Sequence, residues 1–289
     1  MISGIFYALL SATFFGFLGI FGKYGTILKI SATELLTYRF IIGSLFFILF
    51  FLLKDRKLFR IDLKNFIRAC VAGGIFYLLM SYFFFKALEY IPASTTSLIL
   101  YIYPLMVSIL SILFFGIKIS RSLFISLILI ASGCILIFYD AFNRSLDLRG
   151  VLFAFLAMLV FSFYLIYVQK TISNVKPITF SFYVILTAGL SFTLFNNPIG
   201  IFNLNNKQIV LVILIGIIPT FLAVMLQFIA IEKIGSVYTS IFSTIEPIVT
   251  VSASYFFLDD NIVIQQVMGM FMIILGIVLP NLKILKKRS

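Results

Sequence analysis

Apolar runs of about twenty residues recur along this 289-residue chain from end to end. That length is what an α-helix needs to cross the hydrocarbon core of a bilayer. Ten such runs are read, at about 3–22, 34–53, 66–86, 93–115, 122–139, 150–168, 178–195, 208–230, 236–258 and 262–282. Outer-membrane barrel strands would be shorter and would alternate in polarity, which these do not. With 62% hydrophobic and 11% charged residues, the chain lacks the polar surface a soluble protein of this size needs. The expectation is an all-α, multi-pass membrane protein with ten transmembrane helices. No Lys or Arg precedes the first run, which is also too long for a signal-peptide core, so it reads as the first span.

The net charge of +12 does not point to nucleic acid, because of how the charge is distributed. With the N-terminus in the cytoplasm, 15 of the 22 Lys and Arg fall in cytoplasmic segments, Lys54 to Arg68 and Lys283 to Arg288 among them. Six fall outside, and Arg39 lies within the second span. This is the positive-inside bias of a bacterial-type plasma-membrane protein with both termini cytoplasmic. The expected partners are the bilayer, with its anionic headgroups, and a small-molecule substrate. Nucleic acid is not expected, and a homodimer is compatible with the sequence.

The chain repeats itself. "ALEYIPASTTSLILYIYPL" (87–105) is echoed by "AIEKIGSVYTSIFSTIEPI" (230–248) at an offset of 143 residues, which also relates Gly73 to Gly216 and Gly133 to Gly276. Earlier in each half the offset is 146, as in Gly4/Gly150 and Gly43/Gly189. The chain therefore divides into two five-helix repeats, 1–140 and 147–289. Five is odd, so the second repeat enters the membrane from the opposite side. Inverted repeats of this kind recur in secondary transporters, where two similar packings of opposite orientation open one site alternately to either face.

With no histidine, zinc hydrolases and Ser-His triads are excluded. The aspartates all lie at span ends or in loops, and Cys70 and Cys134 read as small apolar packing residues. "GFLGIFGKYG" (16–25) has the wrong spacing for a phosphate loop and Tyr24 after its Lys. No catalytic residue, metal site or cofactor is expected, and transport would run on a solute or ion gradient.

Candidate site residues come from polar groups inside spans. Ser94, Ser97, Tyr101, Pro104, Ser108 and Ser111 share one face of the fourth span. Ser240, Thr244, Pro247 and Ser254 take the matching places in the ninth. Tight packing and cavity lining are both open for this stripe. Pro104 and Pro247 are expected to kink their helices, each freeing a carbonyl in mid-membrane. The second copy changes Tyr103 to Glu246, near the bilayer centre, with Thr239, Ser243 and Thr250 on its face. A carboxyl there costs about 2.5–3.5 kcal/mol on insertion scales, so it should face the bundle interior or a watery cavity. It would contact a substrate amine or carry a coupling proton; the alternative is a structural acid. Tyr77, Tyr82, Tyr164, Tyr167, Tyr183 and Gln227 are further buried-polar candidates. Arg39 could snorkel, pair with Glu34, or bind a carboxylate or phosphate. The 36 Phe are not taken as a sign of an aromatic substrate.

"RF" (39–40), "KALEYIPAS" (86–94), "AIEKIGS" (230–236), "EP" (246–247) and "GMFMIILGIVL" (269–279) together resemble the EamA family of the drug/metabolite transporter superfamily. The likeness spans the whole chain. It implies a carrier, most often an exporter, of amino acids and other small metabolites. It also implies a central cavity lined mainly by the third, fourth, eighth and ninth helices. The chain departs from the family in having Ile117-Lys118 after Gly116, where an acid is common, and in lacking Trp. A lipid-carrier flippase subunit is the alternative from another class.

Overall fold

The computed structural model describes residues 2–139, 147–259 and 261–286, without the side chains of Ser94 and of residues 280–286. Asp140, Arg144, Asp260 and the tail from Lys287 therefore lie outside the described residues, as do the side chains of Lys283 and Lys286. Among the described residues the fold is all-helical, with no strand. The elements are α1 (Ile2–Gly16), α2 (Leu18–Ile27), α3 (Ala32–Lys54), α4 (Leu63–Val71), α5 (Leu78–Leu88), α6 (Ala93–Leu100) and α7 (Tyr103–Phe115), then α8 (Arg121–Ile137). The second half follows with α9 (Leu148–Ile172), α10 (Pro177–Thr193), α11 (Asn206–Gly216), α12 (Ala223–Ser243), α13 (Glu246–Leu258) and α14 (Ile264–Lys286). π-helical turns join α4 to α5 (Ala72–Tyr77) and α11 to α12 (Ile217–Leu222). Among the described residues six helical stretches are long and apolar enough to cross a membrane: Ile2–Ile27, Ala32–Lys54, Leu63–Leu88, Thr95–Phe115, Leu148–Ile172 and Asn206–Ser243. The last of these bends at Gly235, whose φ of 77° no helix interior accommodates.

Helix ends are marked by local chemistry. Ser31 and Glu34 close a capping box at the start of α3, and Asn205 with Gln208 does the same for α11. α7 ends on Gly116 and α13 on Asp259, both left-handed (φ 63° and 55°) and 143 positions apart.

The chain forms two compact units, and neither is a sequence repeat. One comprises residues 1–78 and 167–234, the other 79–166 and 235–289. Each draws helices from both halves. In the first, α3 packs on α10, α11 and the π turn 217–222. Its core is a run of edge-to-face rings: Phe47 on Phe221 (4.7 Å), and Phe51 on Phe59 (5.0 Å) and Phe182 (5.2 Å). Phenylalanine here fills a core, where the low cost of burying rings against one another uses much of the chain's aromatic content.

In the second unit α8 and α14 lie antiparallel with backbones in contact. A Cβ on Gly133 would come within 2.7 Å of the Gly269 carbonyl and of Ile273 Cγ1. A Cβ on Gly276 would meet the Ser126 carbonyl at 3.0 Å and Ile130 Cγ1 at 2.8 Å. Shifting the first set by the repeat offset gives the second, so this contact is symmetric under exchange of the halves. Ser126 donates to the Gly276 carbonyl, and Ser122 to the Leu279 carbonyl at 3.1 Å, adding hydrogen bonds between the helices. The same exchange appears at the first helix of each half: Gly4 lies against Ile234 within the first unit, and Gly150 against Ile91 within the second.

These contacts predict which glycines tolerate a side chain. Gly133→Val forces the α8 and α14 backbones apart and should cost about 1–3 kcal/mol, lowering the detergent-solubilised Tm by several degrees. Gly22→Ala, where nothing lies within 4 Å of the new methyl, should leave Tm unchanged or slightly raised.

Candidate functional site

The two prolines distort their helices in the same way. Pro104 and Pro247 each sit at the second position of a new helical segment, α7 and α13. A proline lacks an N–H and its ring crowds the carbonyl four residues back, so the preceding turn tightens. Ile102 then bonds the Ile99 carbonyl (3.2 Å) and Leu105 the Ile102 carbonyl (3.0 Å). In the other copy Thr244 bonds the Ile241 carbonyl (3.2 Å) and Ile245 the Phe242 carbonyl (3.3 Å). The tightened bonds of Ile102 and Ile245 lie 143 positions apart. Irregular backbone of this kind inside a membrane is tolerated only where protein or a water-lined cavity surrounds it.

In the second unit the two distorted segments meet. The Tyr103 hydroxyl reaches the Ser240 carbonyl at 3.4 Å and is hydrogen-bonded to the Ser243 side chain. Further along, the Ser111 and Ser236 hydroxyls lie 3.5 Å apart. Residue numbers rise on one helix as they fall on the other, so α7 and the end of α12 run antiparallel. Glu246 opens α13 beside this crossing, partly buried, and accepts a hydrogen bond from the Tyr101 hydroxyl. The walls are aromatic: Phe138 stacks on Tyr101 (5.8 Å), while Phe161 meets Tyr103 edge-on (4.9 Å) and stacks on Tyr164 (6.0 Å). Cys134 is buried on α8. An acid held by a phenol within an aromatic enclosure can exchange that phenol for a substrate donor or a proton.

Other hydroxyls of the stripe turn back on their own helices. Ser108 donates to the Pro104 carbonyl (2.8 Å), Ser240 to Val237 (2.8 Å), Thr244 to Ile241 (2.6 Å) and Thr250 to Glu246 (3.0 Å). Ser240, Ser243 and Thr244 are buried, Ser97 and Thr250 partly so. Tyr82 is 52% exposed on α5, on the outer surface of its unit beside Phe83. Sequence reasoning placed Tyr103 only as the residue Glu246 replaces, yet it organises the crossing; the repeat offset was the signal that pairs it with Glu246.

Arg39, Tyr77 and Gln227 lie in the first unit. Arg39 is buried, its Nη2 donating to the Tyr77 hydroxyl at 2.7 Å and its cation 4.6 Å from the Phe40 ring. Neither snorkelling nor pairing with Glu34 describes it, since Glu34 accepts from Ser31 at 2.6 Å. The π turn Ala72–Tyr77 is what turns Tyr77 toward the cation; its Gly73-Gly74 pair and the Pro219 of the matching turn are where the regular ladder yields. Gln227 is buried on α12. Tyr183 donates to the Phe59 carbonyl at 2.7 Å, holding a loop, and Tyr167 packs on Phe76 at 5.3 Å. Lys86 and Glu89 pair locally at 2.9 Å. Among the described residues no group of three or more His, Cys, Asp or Glu could hold a metal.

With this geometry in view, comparison with known proteins is decisive at the level of family. The EamA-like transporter family matches the chain twice, over residues 2–139 and 148–282. The chain belongs to that family. The two matches are the two repeats, and the family lies within the drug/metabolite transporter superfamily. A solved crystal structure of another protein superposes over 100% of both chains with a TM-score of 0.84 at 16% identity, a likeness of fold alone. No curated protein matches. This EamA-family member is thus a multi-pass membrane transporter in broad class.

The crossing of α7 with α12 carries a prediction. In protein lacking Cys70 and Cys134, the pair Ser111→Cys and Ser236→Cys should form a disulfide readily on mild oxidation, because their Oγ atoms are 3.5 Å apart. Exposed Leu113 replaced by Cys should not bridge to the same partner.

Proposed function

We propose that this protein is a secondary-active carrier that exports a small polar metabolite, an amino acid or related compound, with Glu246 at its working site. The observation that carries the reading is the enclosure of Glu246 between two matching helix distortions, hydrogen-bonded to Tyr101 and faced by Tyr103 and Ser243. An intramembrane acid is costly and is retained where it contacts solute or moves a proton. Ser97, Ser240, Thr244 and Thr250 line the same segments of this unit.

The proposed topology is ten crossings as two inverted five-helix repeats in a bacterial-type plasma membrane, both termini cytoplasmic. The antiparallel α8–α14 contact supports inversion, since the fifth span of each copy then runs opposite to the other. Lys57, Arg60 and Lys176, from two loops both taken as cytoplasmic, border one depression. Single cysteines at Lys57 and Lys176, in protein without Cys70 and Cys134, should resist an impermeant thiol reagent on intact cells. A cysteine at exposed Lys207 should label. Labelling of Lys57 from outside would break the topology.

An untargeted metabolite comparison of overproducing and deletion cells, inside and outside, tests the function. A carrier shifts one small polar metabolite between the two compartments. A flippase subunit, the competing class, would instead change lipid-linked intermediates and leave soluble pools alone.

A further inference from the structure

The short loop between α3 and α4 is fixed by residues far away in sequence. A 3-10 turn, Arg56–Phe59, is held on α10 by two hydrogen bonds: Thr179 to the Leu58 carbonyl (2.9 Å) and Tyr183 to the Phe59 carbonyl (2.7 Å). Asp62 then caps α4, accepting from the Asn65 side chain (2.6 Å) and backbone (3.2 Å). That bond holds the Asp62 carboxyl below the usual carboxylate range. The same Asn65, buried, donates to the Asn174 carbonyl (3.4 Å) and accepts from Arg68 (3.0 Å). Two loops are thereby tied into one rigid rim.

That rim encloses an open depression of about 490 Å³ lined by Lys57, Arg60, Ile61, Asp62, Asn174, Val175, Lys176 and Thr179. Three cations face one acid, and the acid is already engaged by Asn65. The heads of Lys57, Arg60 and Lys176 make no hydrogen bond or ion pair among the described residues, and all three side chains are exposed. Lys176 also immediately precedes α10, a 17-residue helix whose N-terminus adds partial positive charge. Next along the chain, the apolar Leu63, Phe66 and Ile67 of α4 are exposed. In a membrane-spanning chain, such a surface at a helix end meets acyl chains. An exposed apolar strip leading into a rigid basic cup matches the two parts of an amphiphile.

We infer that this depression is a phosphate-binding site at the membrane surface, taking the headgroup of an anionic phospholipid, with the acyl chains against Leu63, Phe66 and Ile67. Its chemistry is shared with soluble phosphate, from which the apolar strip separates it. Arg60 offers a planar fork to the phosphate oxygens, while Lys57 and Lys176 supply point charges on either side. The site rests on the first unit alone and does not depend on the carrier reading.

The test uses purified full-length protein in detergent, titrated separately with short-chain phosphatidylglycerol, short-chain phosphatidylcholine and inorganic phosphate. Binding is read by native mass spectrometry and by Tm. Wild type should prefer phosphatidylglycerol over phosphatidylcholine by about tenfold or more, as expected for several cations near an anionic headgroup, and gain several degrees in Tm. The triple variant Lys57→Gln, Arg60→Gln, Lys176→Gln should keep its basal Tm and lose the preference. A second triple variant, Lys118→Gln, Arg121→Gln, Lys233→Gln, removes equal charge from positions that do not line the depression and should retain it. Stabilisation by phosphate alone, lost in the first variant, would overturn the lipid assignment and leave a soluble-anion site. An undiminished lipid preference in the first variant, or an equal loss in both, would overturn the site altogether.

Discussion

Backbone amides in hydrocarbon have no water to turn to, and every other feature of this chain is arranged around that constraint. Regular helix satisfies it by default, which is why the described residues are helical almost throughout. The departures are therefore informative. They occur as matched pairs: two π turns after the first stretch of α4 and of α11, and two tightened turns before Pro104 and Pro247. A random defect would not recur at the same place in both halves. Within each tightened turn, amides take carbonyls three residues back rather than four. The bends lie where Tyr101, Tyr103, Ser243 and Glu246 come together.

Symmetry and its breach divide the work. Glycine and serine make the parts that obey the repeat: Gly133 with Gly276, and Gly4 with Gly150, let helices touch where any side chain would intervene. Such contacts have no use for a carboxyl. At the crossing the copies differ in charge, where Tyr103 of one copy corresponds to Glu246 of the other. Two tyrosines alone would make a closed, neutral crossing. The carboxyl gives the crossing a group that can bind a cation or carry a proton.

Much of this was legible beforehand for a plain reason. Apolar length and the 143-residue offset are global properties, averaged over many residues, so the helical class, the repeat and the distorting prolines survive local error. Glu246 stood out because the offset isolates it. What was not legible depends on rotamers and on single turns. For Arg39 the sequence leaves open snorkelling, pairing with Glu34, and binding of a carboxylate or phosphate; the first two give way, because Ser31 takes Glu34 into a capping box and the π turn delivers Tyr77 to the guanidinium. Tyr82 follows the buried Ser81 on the same helix, and the rotation of about 100° between neighbouring residues leaves it exposed. The division into compact units could not be read either, because each assembles helices from both repeats while the sequence shows only contiguous copies.

The central claim is that Glu246 works rather than merely fits, and Glu246→Gln separates the two. Glutamine preserves size and can still accept from Tyr101, so the variant should fold, express and melt within about 1 kcal/mol of wild type. Measured with the metabolite that the wild-type protein moves, net transport by Glu246→Gln should be abolished or fall severely. Transport at the wild-type rate with the wild-type dependence on pH would contradict the account and leave Glu246 a structural acid.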